Sequence, residues 1–348
     1  MQLSSQTYDL PDDDAVQAMF RDRNWTDGLP VIAPTAARVR NMLAWGGFTP
    51  ETVVGVETVK DRVLTAEKVA VNAVLAGCLP PDFPVVAAAV QAMCRSELLV
   101  HGATASTGGC ALLVVVNGPI RHQLAMSASH SVLAGPDRAS VAIGRAVRLV
   151  VRNLLDARPG ELDRSTLGHP GKLSWCLAED EEGAVPWLAL AAERGMAPDA
   201  SSVTVFAASG PRQIMNEWTT DPTELLETVC AEIRAVMLHY SIWPGNYALV
   251  LPPQLRAVFH AAGWSKADVR RFVFDHAVVR RGDWEAVGKG AVVSDANRDR
   301  IHRALNHPDD LLVISAGGDA GGFAAIIPPW LGPKSAAVTV PIGVCSDC

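Results

Sequence analysis

Short apolar runs alternate with amphipathic stretches along most of the chain, and the two periods separate cleanly. Apolar, β-branched runs at residues 112–116, 203–206, 247–251, 311–315 and 336–340 predict strands. They lack a polar face, so they predict sheets buried on both sides rather than half-solvated ones. The intervening stretches carry helix signals. Asp221-Pro222-Thr223-Glu224 supplies a cap, a proline at the first helical position and a carboxylate at the third, and Leu225, Leu226, Val229, Ile233, Val236, Met237 and Tyr240 then fall on one face. Ser265 opens a helix running to Ala277, Thr65 caps one over 66–76 that Gly77 stops, and 139–155 reads as another. The expected class is α/β, with mixed or largely parallel buried sheets and flanking helices.

A degenerate repeat overlies this pattern. Val31-Ile32-Ala33-Pro34 leads to Arg38 and Trp45-Gly46-Gly47, as Leu249-Val250-Leu251-Pro252-Pro253 leads to Arg256 and Gly263-Trp264. Val116-Asn117-Gly118-Pro119-Ile120-Arg121 and Ala208-Ser209-Gly210-Pro211-Arg212 share the shorter form of strand, proline, arginine. Proline ends a ladder and suits a first helical turn, so the loops after Pro34, Pro119, Pro211 and Pro253 are expected to be equivalent strand-to-helix turns around a cleft. The chain is expected to form two α/β halves, 1–195 and 196–348, packed closely together.

Charge narrows the partners. Lys plus Arg number 30 and Asp plus Glu 37, a net charge of −7 with no basic run, so neither a nucleic acid nor an anionic membrane is expected. The apolar runs fall short of the roughly 18 residues that span a bilayer. The polar, acidic start has no signal-peptide pattern, and the seven cysteines do not form a secreted disulfide framework. A cytoplasmic location is expected.

Four segments carry candidate chemistry. Gly168-His169-Pro170-Gly171-Lys172 is followed by Cys176 and the consecutive acids Glu179, Asp180, Glu181 and Glu182. A thiol attacks as thiolate, so Cys176 is the expected nucleophile, with His169 or Lys172 beside it. Crowded carboxylates raise one another's pKa, so Glu179, Glu181 and Glu182 are expected to handle protons; the competing reading makes Cys176 a core residue and the acids a solvated turn. His101, Thr104, Thr107, Gly108 and Gly109 form a small-residue loop before the strand at 112, suited to holding a carboxylate or phosphate, or else simply a tight turn. Gly317, Gly318 and Gly321 form another after the strand at 311–315, and this loop and the first are expected to face one cavity. Cys345 and Cys348 make a terminal C-x-x-C, a redox or metal-contact pair if it is not a loose terminus. Neither the dinucleotide GxGxxG nor the P-loop pattern occurs, so NAD and ATP are not expected; no cofactor is identified, though a metal is compatible with the His, Cys and Glu residues.

Several words resemble a bacterial family of proteins of about this length, known mainly as uncharacterised and sometimes encoded near small redox proteins with a U-G-S-C motif. They are Trp25-Thr26-Asp27-Gly28-Leu29-Pro30-Val31, Ala66-Glu67-Lys68-Val69-Ala70, Val116-Asn117-Gly118-Pro119-Ile120, Ile143-Gly144-Arg145-Ala146-Val147-Arg148-Leu149, Leu167-Gly168-His169-Pro170-Gly171-Lys172 and Cys176-Leu177-Ala178-Glu179-Asp180-Glu181-Glu182. Cys110 departs from that pattern, where a smaller residue is expected. The resemblance implies one common fold over most of the chain, a lean toward thiol or redox chemistry, and a small redox-type protein as partner. The expected function is thus an enzyme acting on a small carboxylate-bearing metabolite by cysteine-dependent lyase or reductase chemistry. The alternatives are a metal-dependent lyase or hydrolase using His101, His169, Cys176 and the carboxylates, and a non-catalytic subunit that positions a redox partner. Oligomeric state is left open.

Overall fold

A computed structural model describes residues 1–240, 243–330, 332 and 334–343. Eight helices of more than one or two turns are α1 (Asp13–Asp22), α2 (Ala36–Gly46), α3 (Ala66–Ala76), α4 (Phe83–Met93), α5 (Arg138–Leu154), α6 (Pro222–His239), α7 (Pro253–Ala261) and α8 (Lys266–His276). Eight strands build the two main sheets: β1 (Ala111–Asn117), β2 (Cys176–Ala178), β3 (Ser202–Ala208), β4 (Arg212–Met215), β5 (Tyr247–Leu251), β6 (Leu311–Ser315), β7 (Phe323–Ile327) and β8 (Val338–Pro341). Two small hairpins, Val53–Glu57 with Arg62–Thr65 and Val278–Arg280 with Ile301–Arg303, complete the set.

The sheets run β8-β3-β1-β2 and β6-β5-β7-β4. Both have the same pairing pattern. A parallel pair (β1 with β2, β5 with β6) sits at one side, its inner strand pairs antiparallel with the next (β3, β7), and that strand pairs antiparallel with the last (β8, β4). The last strands are exchanged: β3 crosses from the first sheet into β4 of the second through residues 209–211, and β7 returns to the first sheet as β8. Ser209 N donates to Pro328 O and Trp330 N to Ala207 O where the two crossings pass. A division at 195/196 would part β1 from its neighbour β3, since each sheet is completed by a strand reached from the other.

Side-chain alternation places the core in three layers. Val114, Val116, Cys176, Val203 and Val205 face α3, α4 and α5. Leu249, Leu251, Val313 and Ile326 face α6, α7 and α8. The intervening residues Leu113, Val115, Leu177, Phe206, Val250, Leu312, Ile314 and Ile327 meet between the sheets. The result is helices, sheet, sheet, helices, which explains why the strands are apolar on both faces.

The proline turns are equivalent in two of the four expected places. After β1, Pro119 starts the short helix Ile120–Gln123, and after β5, Pro253 starts α7. The other two differ. No strand precedes Pro34, which is followed by the Thr35 cap of α2, and Pro211 leads into β4 because the chain there continues extended across to the second sheet.

Candidate functional site

The C-terminal ends of both parallel pairs converge on residues 179–183. Glu179, fully buried, accepts from Lys266 Nζ (3.1 Å), Ser315 N (3.2 Å), Asn117 Nδ2 (2.7 Å) and Leu190 N (2.7 Å). Asp180 pairs with Arg256 (2.5 Å), and Arg121 pairs with Glu181 (3.0 Å) and Glu182 (2.9 Å). Arg121 and Arg256 follow the equivalent strands β1 and β5, so each half contributes one arginine to the same acidic segment. For Glu182 the expectation that crowding raises a carboxylate is corrected. It is pulled down to about 2, chiefly by its hydrogen bonds to Arg121. Each acid of the run has a cationic partner, Lys266 for Glu179, Arg256 for Asp180 and Arg121 for Glu181 and Glu182. The run joins the two halves.

Cys176 lies in β2, 4 % exposed, paired in register with Val114. Burial pushes its thiol well up, Asp137 and Asp82 add to the shift, and no cation opposes it. His169 does not serve it. The imidazole accepts from Gly171 N at Nδ1 (3.2 Å), meets Ala208 O through Nε2 (3.3 Å) and stands edge-on to Trp175, so both nitrogens are engaged. Burial lowers its pKa, and the neutral ring is favoured. The nucleophile-and-base arrangement expected of Cys176 and His169 is therefore absent from this geometry, for the physical reason that both groups are used in packing and turn formation.

The small-residue loop and the Gly168–Lys172 segment do come together. Thr166 N donates to Thr107 O, Gly108 N donates to Ser106 Oγ, and Gly109 approaches Gly168 so closely that an added Cβ would lie 2.4 Å from its backbone. Their junction borders a shallow, narrow cleft along α5 with a cavity volume of about 30 Å³, room for about two waters, that opens to solvent. Thr104, Cys110, Gly144, Arg148, Gly171 and Lys172 line it. Gly144 lets α5 press onto Ser174 and Trp175, where a Cβ would fall 2.4 Å from Ser174 Oγ.

The charges of this cleft are unequal. Lys172 Nζ donates to Asp163 Oδ1 (2.8 Å), Asp163 Oδ2 (2.7 Å) and Ser165 Oγ (2.6 Å), which satisfies all the donors an ammonium has. Lys172 is thus occupied rather than free for substrate. Arg148 gives Asp163 a single bond, from Nη2 (3.2 Å), and its remaining N–H groups meet no acceptor among the described residues. Two cations share one carboxylate. Burial raises Asp163, but Lys172 and Ser165 outweigh it, and the acid stays ionised below its usual range. Burial pushes the Cys110 thiol up to about 12 despite Lys172 nearby, and Cys110 donates to Ala103 O (3.1 Å).

Neither a family model, nor a curated protein, nor a solved structure matches this chain. The site is therefore judged on its own chemistry.

The remaining sequence candidates lie elsewhere. His101 faces the buried Glu57 (3.9 Å), and Thr104, although it lines the cleft, spends its hydroxyl proton on Val100 O (2.8 Å). Gly317 donates to Ala128 O, Gly318 lies against His130, and Gly321 against Phe323. The two glycine loops thus pack on different partners, and none of Gly317, Gly318 or Gly321 lines the cleft. Cys345 and Cys348 fall outside the described residues. Among the described residues no three His, Cys, Asp or Glu side chains gather as a metal-ligand set. A wider groove beside Leu29, Pro136 and Val141 is lined by Arg145 and Arg138, which pair with Asp27 (2.8 Å) and Asp82 (2.5 Å). Arg148 and Asp163 were missed from sequence. The sequence offered only a weak signal: Arg148 follows Gly144 by one turn, but it stands in a row of arginines with Arg145 and Arg152, so nothing local singled it out.

Proposed function

We propose that this chain binds a small carboxylate-bearing metabolite in the cleft along α5, with Arg148 as the anchor for its carboxylate. The observation that supports the reading is the unequal sharing of Asp163. It leaves about one positive charge uncompensated in a narrow cleft, and Arg148 keeps a fork of N–H donors suited to a bidentate carboxylate. Lys172 and Asp163 hold the arginine in place and do not take ligand themselves. Cys110 stands in the wall as a protonated thiol at neutral pH, so the resting cleft is built to bind rather than to attack.

Calorimetric titration with succinate, butyrate and inorganic phosphate tests this. Succinate and butyrate are expected to bind, and Arg148→Gln, which removes the charge and keeps a shorter polar end, should weaken both by roughly 10- to 100-fold, the equivalent of about 1.5–3 kcal/mol for a charged hydrogen bond. Unchanged affinity in that variant, or no binding by the wild-type chain, would overturn the reading. Phosphate binding tighter than either acid would redirect it to phosphorylated ligands.

A further inference from the structure

The cleft has room for one carboxylate and little more, so the rest of a ligand held at Arg148 must lie outside it, along the surface of α5. On that helix its lining runs from Gly144 through Val147 and Arg148 to Val151, and the next residue is Arg152. Arg148 and Arg152 stand four residues apart, which sets their side chains on one face with Cβ atoms about 5–6 Å apart. Two cations at that spacing repel each other, so the pair calls for negative charge nearby.

Arg152 has none of its own. Among the described residues it has no ion-pair partner: Nη2 donates to the neutral Asn24 Oδ1, and the buried Nε has no acceptor. The carboxylates around it are already engaged, Asp27 with Arg145 (2.8 Å) and Glu161 with Arg158 (3.5 Å). Burial first, then Arg148 and Arg158, hold the Arg152 guanidinium below its ordinary pKa, and Asp27 and Glu161 only partly oppose them. Arg152 lies in the last turn of α5, whose carbonyl end favours a cation but supplies only about half an elementary charge. Lys172 takes the larger share of Asp163, so two guanidinium groups one turn apart have the minor share of one carboxylate between them.

We propose that Arg152 is a second anion-binding residue beside Arg148, and that the ligand of this face is a dicarboxylate, one carboxylate seated at Arg148 and the other at Arg152 one turn further along α5. The proposal rests on the reading of the α5 cleft given above and adds to it the charge and reach of the ligand. An extended four-carbon diacid is about as long as one helical turn, roughly 5.4 Å. Asn24 fixes one arm of the Arg152 guanidinium, and its other N–H groups meet no acceptor among the described residues. Arg152 is then a specificity residue: it separates acids with two charges from those with one.

Succinate and butyrate again serve as probes, because they share a four-carbon chain and differ in the second carboxylate. Titrations are run at one ionic strength, since salt screens a divalent ligand more strongly. Wild-type chain should bind succinate roughly tenfold more tightly than butyrate. Arg152→Gln should erase that preference while leaving butyrate binding unchanged, Arg152→Lys should keep most of it, and Arg148→Gln should weaken both ligands. A preference for succinate that survives in Arg152→Gln overturns the proposal but leaves the Arg148 reading standing, and so does its equal loss in Arg152→Lys and Arg152→Gln. Loss of neither ligand in Arg148→Gln removes the reading beneath it. A second measurement is made on the wild-type chain: with ¹⁵N-labelled arginine, the Nε–H resonance that Arg152→Gln lacks should move on adding succinate and stay still on adding butyrate. An Arg152 resonance indifferent to succinate would mean that solvent alone meets this guanidinium, and the proposal falls.

Discussion

Arg148 and Lys172 are both cations beside Asp163, yet their hydrogen bonds give them different work. Lys172 neutralises a carboxylate that is only 4 % exposed, so its loss strands a buried charge. Lys172→Met is expected to lower stability by about 1–3 kcal/mol, read from urea unfolding, with Arg148 still partly covering Asp163. Arg148→Gln should cost less than about 1 kcal/mol in the same assay and show its effect in binding instead. A reversed order, with stability lost at Arg148 and affinity at Lys172, would exchange their roles. Cys176 gives a third test at this scale. Its thiol is inaccessible and unassisted, so iodoacetamide should leave it unlabelled in native protein at neutral pH, as mass spectrometry of the digest would show; Cys176→Ser should destabilise by about 1–3 kcal/mol through a buried, poorly partnered hydroxyl. Rapid labelling of Cys176 would restore it as a reactive group.

Among the elements, those with strong local signals were legible and those made by distant pairing were not. The capped helix Pro222–His239, the helices over Lys266–His276 and Ala66–Ala76, and the strands at Tyr247–Leu251 and Leu311–Ser315 follow directly from caps, periodicity and β-branched runs. Phe323–Ile327 escaped notice because Ala324 and Ala325 dilute its apolar run, and Arg212–Met215 because its role as an exchanged edge strand depends on residues more than a hundred positions away. The site divided in the same way. Thr104 was picked out from loop composition and Lys172 as a cation beside Cys176, but the partners that occupy their polar atoms, and the Arg148 that remains free, are set by packing of α5 on the 163–172 segment. Gly109 tests that packing. A side chain there would strike the Gly168 backbone, so Gly109→Ala is expected to destabilise by more than about 1 kcal/mol and to weaken succinate binding with it. A fully stable Gly109→Ala would show that the two loops do not meet as described.

The whole molecule is two similar sheets that exchange their last strands and are clamped by one acidic segment. Arg121 and Arg256, from equivalent turns, hold Glu181, Glu182 and Asp180, so the halves share ionic contacts as well as backbone. Arg256 is buried; Arg256→Met should cost about 3 kcal/mol by leaving Asp180 without its partner. The pH dependence follows from carboxylates held below their usual values. For Glu182, folded at about 2 against 4.5 when free, and for Asp163 in the same direction, the stabilisation is complete above about pH 4.5 and is lost as pH falls through the folded values. Acid unfolding with proton uptake is expected, and a stability flat from pH 5 to pH 2 in urea titrations would contradict it. No described helix is long and apolar enough to cross a membrane, and the functional account concerns the α5 cleft. Its central claim is the place of Arg148, and a crystal structure of the chain soaked with succinate tests it most directly. The account predicts a carboxylate with its oxygens about 3 Å from the Arg148 nitrogens that Asp163 leaves free. Succinate seated instead in the groove beside Leu29 and Val141, with the α5 cleft lacking it at saturating concentration, would contradict it.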